Sequence, residues 1–223
     1  MTGIDALGPL YLWDFHCLFY DLLDFLEFSE SNIEWQRRSH IHRLDRQYRG
    51  KDHPADEYFA ERDNIEGRFD ITLAKKIRYS AVISLVMIIE WAAKFLEKYS
   101  TKKLPKAPKG VNKSIHILQT FYKWADSSLE HNLDELEKVI QIRNCITHGG
   151  GILEDCEFGD EISENVKTLD GFEISEIDPI VDTETIWIDK GVIEKIIKET
   201  EAWITDFIEE CRRKNLIKIS DTD

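Results

Sequence analysis

Glycine and proline are scarce, eleven and five in 223 residues, which argues against a turn-dense β-sandwich and against a low-complexity linker protein. Cysteine is sparse as well. Cys17, Cys145, Cys156 and Cys211 form no C-x-x-C pair and no zinc-ribbon spacing, so the spacing suggests neither a disulfide framework nor a structural zinc, and a reducing compartment fits. Long hydrophobic runs are missing: Ala81 to Ala93 is interrupted by Ser84 and Glu90 and falls short of a bilayer span. The N-terminus carries Asp5 and Asp14 and no basic leader region. A cytoplasmic protein with no membrane segment is the expectation. No stretch has the D-x-D-x-D-G order of a calcium loop.

What the chain does have is apolar content of 42% beside 32% charge, enough for a core, with apolar spacing of three to four that predicts an all-α fold. One helix is expected over Leu10 to Leu26. The capping-box form Ser31-Asn32-Ile33-Glu34 predicts a second, running to about Arg49 and broken at Asp52-His53-Pro54. Between Ala81 and Ala93 the apolar residues cover almost every side of the wheel, which predicts that Ile71 to Tyr99 is a spine buried all round. A proline-containing loop, Lys102 to Gly110, precedes a helix from Lys113 to Leu129; Asn132 caps another that ends at Gly149-Gly150-Gly151. Val192 to Cys211, capped by Asp189, is the last.

Net charge is −14, but 150–189 alone holds −12, thirteen acids against Lys167. Within this acidic insertion Phe172 to Ile174 and Thr185 to Ile188 are β-like and are expected to pair as an antiparallel ribbon. The remaining chain is near neutral and contains two basic stretches. Trp35 to Lys51 carries +5, and Arg38, His42, Arg46 and Arg49 share one helical face that suits a phosphate backbone. His40 and His42 suit phosphate better than metal, because no carboxylate or cysteine nearby completes a ligand set. Lys98 to Lys113 carries six lysines and no acid.

The sharpest local signal is Arg143-Asn144-Cys145-Ile146-Thr147-His148 before three glycines. On a helix Asn144 and His148 share a face, while Arg143 and His148 diverge by about 140°. A cation, an amide and an imidazole at one helix end suit metal-free RNA cleavage: His148 moves protons, Arg143 neutralises charge on the phosphate, and Asn144 orients either partner. The glycines would admit close approach of a backbone or a partner subunit. The bland alternative is a histidine at a helix end and an arginine paired with an acid. Glu90, alone in the apolar run, would need a base such as Arg143.

A helix ending in Arg-Asn-x-x-x-His, after a long apolar helix and before an amphipathic terminal one, resembles the HEPN superfamily over roughly Ile71 to Arg213. The resemblance implies one HEPN-like helical bundle spanning 1–223. Its parts would be N-terminal helices in 1–70 outside the match, a core over 71–148, a small acidic, partly extended β-ribbon insertion over 149–190, and a terminal helix over 191–214. It implies Arg143, Asn144 and His148 as catalytic residues, RNA as substrate, no metal or other cofactor, and a homodimer whose two motifs share a cleft. It also implies a toxin or phage-defence role, with an antitoxin or defence-system partner, or else a non-catalytic dimerisation or partner-binding module of the same fold. A family variant with tyrosine two residues after the histidine is not matched, because position 150 is Gly. The acidic insertion is then expected to line the outside of the cleft, or to fold over Arg38, Arg46 and Arg49 and block RNA.

Overall fold

The computed structural model describes residues 10–50, 54–128, 130–175 and 183–219, with the side chains of residues 10, 11 and 130–132 excepted. It is predominantly helical with one small β-ribbon, as the apolar periodicity predicts. The first helix, α1, spans Leu10–Tyr48, about 58 Å at 1.5 Å per residue. Its first half buries Leu12, Phe15, Phe19, Leu22 and Leu26. The expected break at Ser31-Asn32-Ile33-Glu34 does not occur. Glu34 turns its carboxylate forward, to Arg38 at 2.6 and 3.0 Å and to Arg37 at 3.2 Å, so that it staples successive turns instead of capping a new start.

Pro54 is the N-cap of α2, Ala55–Glu66, which buries none of its residues. Asp52 and His53, the rest of the expected breaker, lie outside the described residues. A π-helical stretch, Gly67–Leu73, joins α2 to α3, Ala74–Tyr99. The sequence reading missed α2 because it lacks an apolar stripe. Polar ties hold it and the π-helical stretch to α1: Tyr58 to Asp45 at 2.8 Å, Tyr48 to Glu61 at 2.9 Å and Arg37 to Asp70 at 2.7 Å.

Helix α3 is the spine, packed against α1 and against three helices that follow it in the chain. Twelve of its residues are buried, among them Val82, Leu85, Val86, Ile89 and Leu96, each contributing about 2 kcal/mol of apolar transfer. It is not buried all round. Ser80, Met87, Trp91 and Lys94 form an exposed face, with Met87 64% accessible. An apolar wheel is therefore only partly consumed by this chain's own core. By length and composition Ala55–Tyr99 could also cross a bilayer, but over half of its apolar window is buried within the fold.

Helix α4, Lys113–Ala125, starts where Asn112 accepts from the Ser114 and Ile115 amides at 2.9 and 3.3 Å, and stops at Asp126 with φ 46°. Leu129, the expected end, lies outside the described residues. Helix α5, Glu130–Gly149, begins two residues before the expected cap Asn132, whose side chain also lies outside them. After a 3-10 turn at Leu153–Asp155 comes α6, Gly159–Thr168. The predicted ribbon follows: β1, Phe172–Ser175, pairs antiparallel with β2, Thr185–Ile188, Phe172 opposite Ile188 and Ser175 opposite Thr185. The last helix, α7, is Val192–Arg213. Its N-cap is Gly191 at φ 85°, not Asp189, whose carboxylate accepts from the Trp187 indole at 3.1 Å. The chain end then pairs with the end of α3 through Thr101 to Leu216 and Lys218 to Tyr99, both 2.9 Å.

The cysteine expectation is overturned as well. Cys145 and Cys156 are joined as a disulfide, Cα atoms 5.3 Å apart, while Cys17 and Cys211 are free. The pair escapes motif spacing because a glycine turn, invisible to a cysteine-spacing rule, folds the chain back on α5.

Arg78 ties three elements together. Only 8% exposed, it donates to Glu30 of α1 at 2.9 Å and to the Ile188 carbonyl of β2 at 2.7 Å, and lies over the Trp187 ring. Arg78→Met strands that carbonyl and leaves the Glu30 carboxylate only Lys190, at 3.9 Å, and is expected to cost about 3 kcal/mol. Urea unfolding measures it, and an unchanged midpoint contradicts the role.

The insertion rests on α5, where Gln141 meets Glu161 at 3.0 Å and also Asn165. Among the described residues none of its acids pairs with Arg38, Arg46 or Arg49, so the expectation that it folds over that face gains nothing here. Beside it, burial first, then Asp134 of α5 and last Glu161 of the insertion push the Glu137 carboxyl above the usual range. A raised carboxyl binds its proton more tightly in the folded state, so stability falls as pH rises through that range. Glu137→Gln is expected to raise Tm at pH 7, the gain vanishing below the carboxylate range; equal Tm values at both pH values contradict this.

Candidate active site

The motif lies in the last two turns of α5. Ile142, Cys145 and Ile146 are buried, as are Leu136, Val139 and Ile140 above them. At 100° per residue this inward stripe leaves Arg143 and Asn144 at its margin, half-buried, and turns Thr147 and His148 to solvent. His148 has no hydrogen-bond partner among the described residues. Thr147 returns its hydroxyl to the Arg143 carbonyl at 2.8 Å.

Arg143 crosses to the spine. One Nη2 hydrogen reaches the Glu90 carboxylate on α3, which meets the base expected for a carboxylate in an apolar run. The Arg143 side chain is 19% exposed, and its Nε is buried with no hydrogen-bond partner. A guanidinium has five N–H donors. Glu90 therefore orients the group while leaving donors unmet, and buried donors without partners are rare in folded proteins.

Two of the glycines serve the chain itself and not an incoming backbone. Gly151 sits at φ 83°, and a Cβ there would lie 2.2 Å from the Tyr79 hydroxyl; a Cβ on Gly149 would lie 3.0 Å from Cys156 Sγ. Gly150, at φ 63°, faces open space. The helix closes with Gly151 N–H donating to the Cys145 carbonyl at 3.2 Å, and Gly151 then feeds β2 by accepting from Ile186 at 3.0 Å. Tyr79 donates to the Ile186 carbonyl at 2.5 Å and pins the same junction. Sequence reading missed Tyr79 and Arg78, although both are polar interruptions at the start of an apolar helix.

Arg38, His42 and Arg46 lie elsewhere, on the second half of α1 beside α2 and the π-helical stretch, with Arg49 in the turn just past its end. Arg38 is held by Glu34, whose carboxyl it draws below the usual range. Arg46 leans on the His42 carbonyl at 3.4 Å. No hydrogen bond or ion pair links this group to Arg143, Asn144 or His148 among the described residues. No trio of His, Cys, Asp and Glu among the described residues is placed to hold a metal ion.

Glu90 also lines a second feature, a groove of about 920 Å³ between α1 and α3, walled by Leu18, Phe25, Met87 and Trp91. Asp14 and Asp21 edge its α1 side and Lys94 its α3 side. Compared with family models, curated proteins and solved structures, the chain matches none of them.

Proposed function

We propose that this chain is an HEPN-like, metal-independent endoribonuclease of toxin or phage-defence type. The observation that supports this best is the Arg143 guanidinium, oriented by Glu90 and with a buried Nε–H unmet, five residues before the solvent-exposed His148. In the reaction the ribose 2'-oxygen bonds to the adjacent phosphorus and the bond to the 5'-oxygen breaks. His148 takes the 2'-hydroxyl proton or supplies one to the departing oxygen; Arg143 donates to the phosphate oxygens, and Asn144 positions the phosphate. RNA should be cut with chelator present, leaving 2',3'-cyclic phosphate. His148→Ala should lower the rate at least about 100-fold with helical content unchanged, and Arg143→Ala should do the same. Cleavage that survives both substitutions, or is lost with chelator, contradicts this.

A homodimer completes the proposal. Arg143 and His148 point about 140° apart around α5, so a second copy is needed to bring one of each to a single phosphate. The α1–α3 groove suits that copy: it is apolar, adjoins Glu90, and a two-fold axis sets Lys94 of one copy against Asp14 or Asp21 of the other. Light scattering at micromolar concentration should give the dimer mass, and Met87→Glu the monomer. A monomeric wild type excludes this arrangement.

The non-catalytic reading is favoured by one fact, that Arg143 is already paired with Glu90. A dimer that binds partners but leaves RNA intact is its signature.

A further inference from the structure

The covalent tie in this chain closes around the candidate site. Cys145 stands on α5 between Asn144 and Ile146, Cys156 follows the 3-10 turn, and the ring they close contains His148 and Gly149, Gly150 and Gly151. Other bonds cross the same turn: Gly151 to Cys145 at 3.2 Å, Ile152 to Gly149 at 2.9 Å and Ile186 to Gly151 at 3.0 Å. The turn therefore has its own reasons to fold, and the disulfide adds a limit on how far it opens. Two adjacent glycines at positive φ are where that limit matters, because they give the backbone the most freedom.

We propose that the Cys145–Cys156 disulfide is a reversible redox latch on the active-site turn, holding the last turn of α5 and His148 in place when oxidised and releasing them when reduced. The latch itself stands on the position of the two cysteines. Its consequence for catalysis rests on the ribonuclease reading.

The chemistry balances as thiol–disulfide exchange. Cys156 is half-buried and Cys145 only 2% exposed, so the thiolate of a dithiol reductant attacks Cys156 Sγ. The Cys145 sulfur leaves as thiolate and takes up a proton. The second thiol of the reductant then displaces Cys156, and the reductant departs as a cyclic disulfide. The reverse transfers two electrons to an oxidant of the small-molecule disulfide class. Cys211 does not compete, since burial pushes its thiol up to about 12, and Cys17 lies on α1 beside the groove. Oxidation makes the site faster, because a proton-transfer group works only when held within reach of its substrate.

The full-length protein is treated with oxidised glutathione or with dithiothreitol, and followed by peptide mass spectrometry, amide hydrogen exchange and RNA cleavage. The oxidised protein should yield a peptide cross-linked through Cys145 and Cys156. Amides of residues 147–153 should exchange at least about ten-fold faster after reduction, and as fast in Cys156→Ser with no reductant. Both cysteines remaining free thiols under oxidant, or exchange alike in the two states, overturns the latch. Cleavage about ten-fold slower in reduced protein and in Cys156→Ser supports its control of the site; equal cleavage despite faster exchange overturns that control. A redox-dependent exchange in a protein that never cuts RNA leaves the latch standing and removes the ribonuclease reading.

Discussion

A carboxylate set in an apolar helix is steadied by a cation, and the pairing of Glu90 with Arg143 joins α5 to the spine at the level of the motif. Once Arg143 is drawn to α3, the 100° step of the helix sends Cys145 and Ile146 into the core and His148 out. The antiparallel run of α5 along α3 then carries the chain from Glu90 back toward Tyr79, where only a glycine fits beneath the phenol ring. Gly151 hands the chain to β2, and Arg78, one residue before Tyr79, fastens β2 to α1. The ion pair and the buried apolar stripe of α5 thus agree on one rotation, which leads the chain into the glycine turn and the ribbon.

Charge is compensated locally through the rest of the fold. The basic half of α1 was expected to await either RNA or the acidic insertion. Two of its arginines meet acids close by, Arg38 with Glu34 and Arg37 with Glu34 and Asp70. The insertion serves α5 instead, through Gln141, Glu161 and Asn165. Within its described part, α6 flanks the motif helix and leaves His148 uncovered, and Glu161 joins burial and Asp134 in raising the Glu137 carboxyl.

Much of this was legible in the chain, and the failures have physical reasons. The α7 stripe, a helix beginning at Lys113, the two ribbon strands and the Glu90–Arg143 pair all follow from periodicity, β-propensity and the cost of a lone charge in an apolar run. The unbroken α1 was not legible, because Ser31-x-x-Glu34 has capping form whichever way its glutamate turns. Helix α2 has no stripe to read. Helix α6 did leave a signal, in Ile162, Val166 and Leu169 at four- and three-residue spacing, which the acidic composition hid. The disulfide depends on a turn that brings residues eleven apart together, and the exposed Met87–Trp91 face on what the core leaves uncovered.

The proposed ribonuclease turns on an RNA phosphate meeting the Arg143 guanidinium that Glu90 orients, within reach of a His148 ring. The most direct measurement is an NMR titration of the arginine Nε–Hε and histidine ring signals with an uncleavable 2'-deoxy oligonucleotide. The account predicts that the Arg143 Nε–Hε signal and the His148 ring signals move together on one binding curve, and that Arg143→Lys abolishes the His148 response. An oligonucleotide that shifts only Arg38, Arg46 and Arg49 while Arg143 and His148 stay still would contradict it.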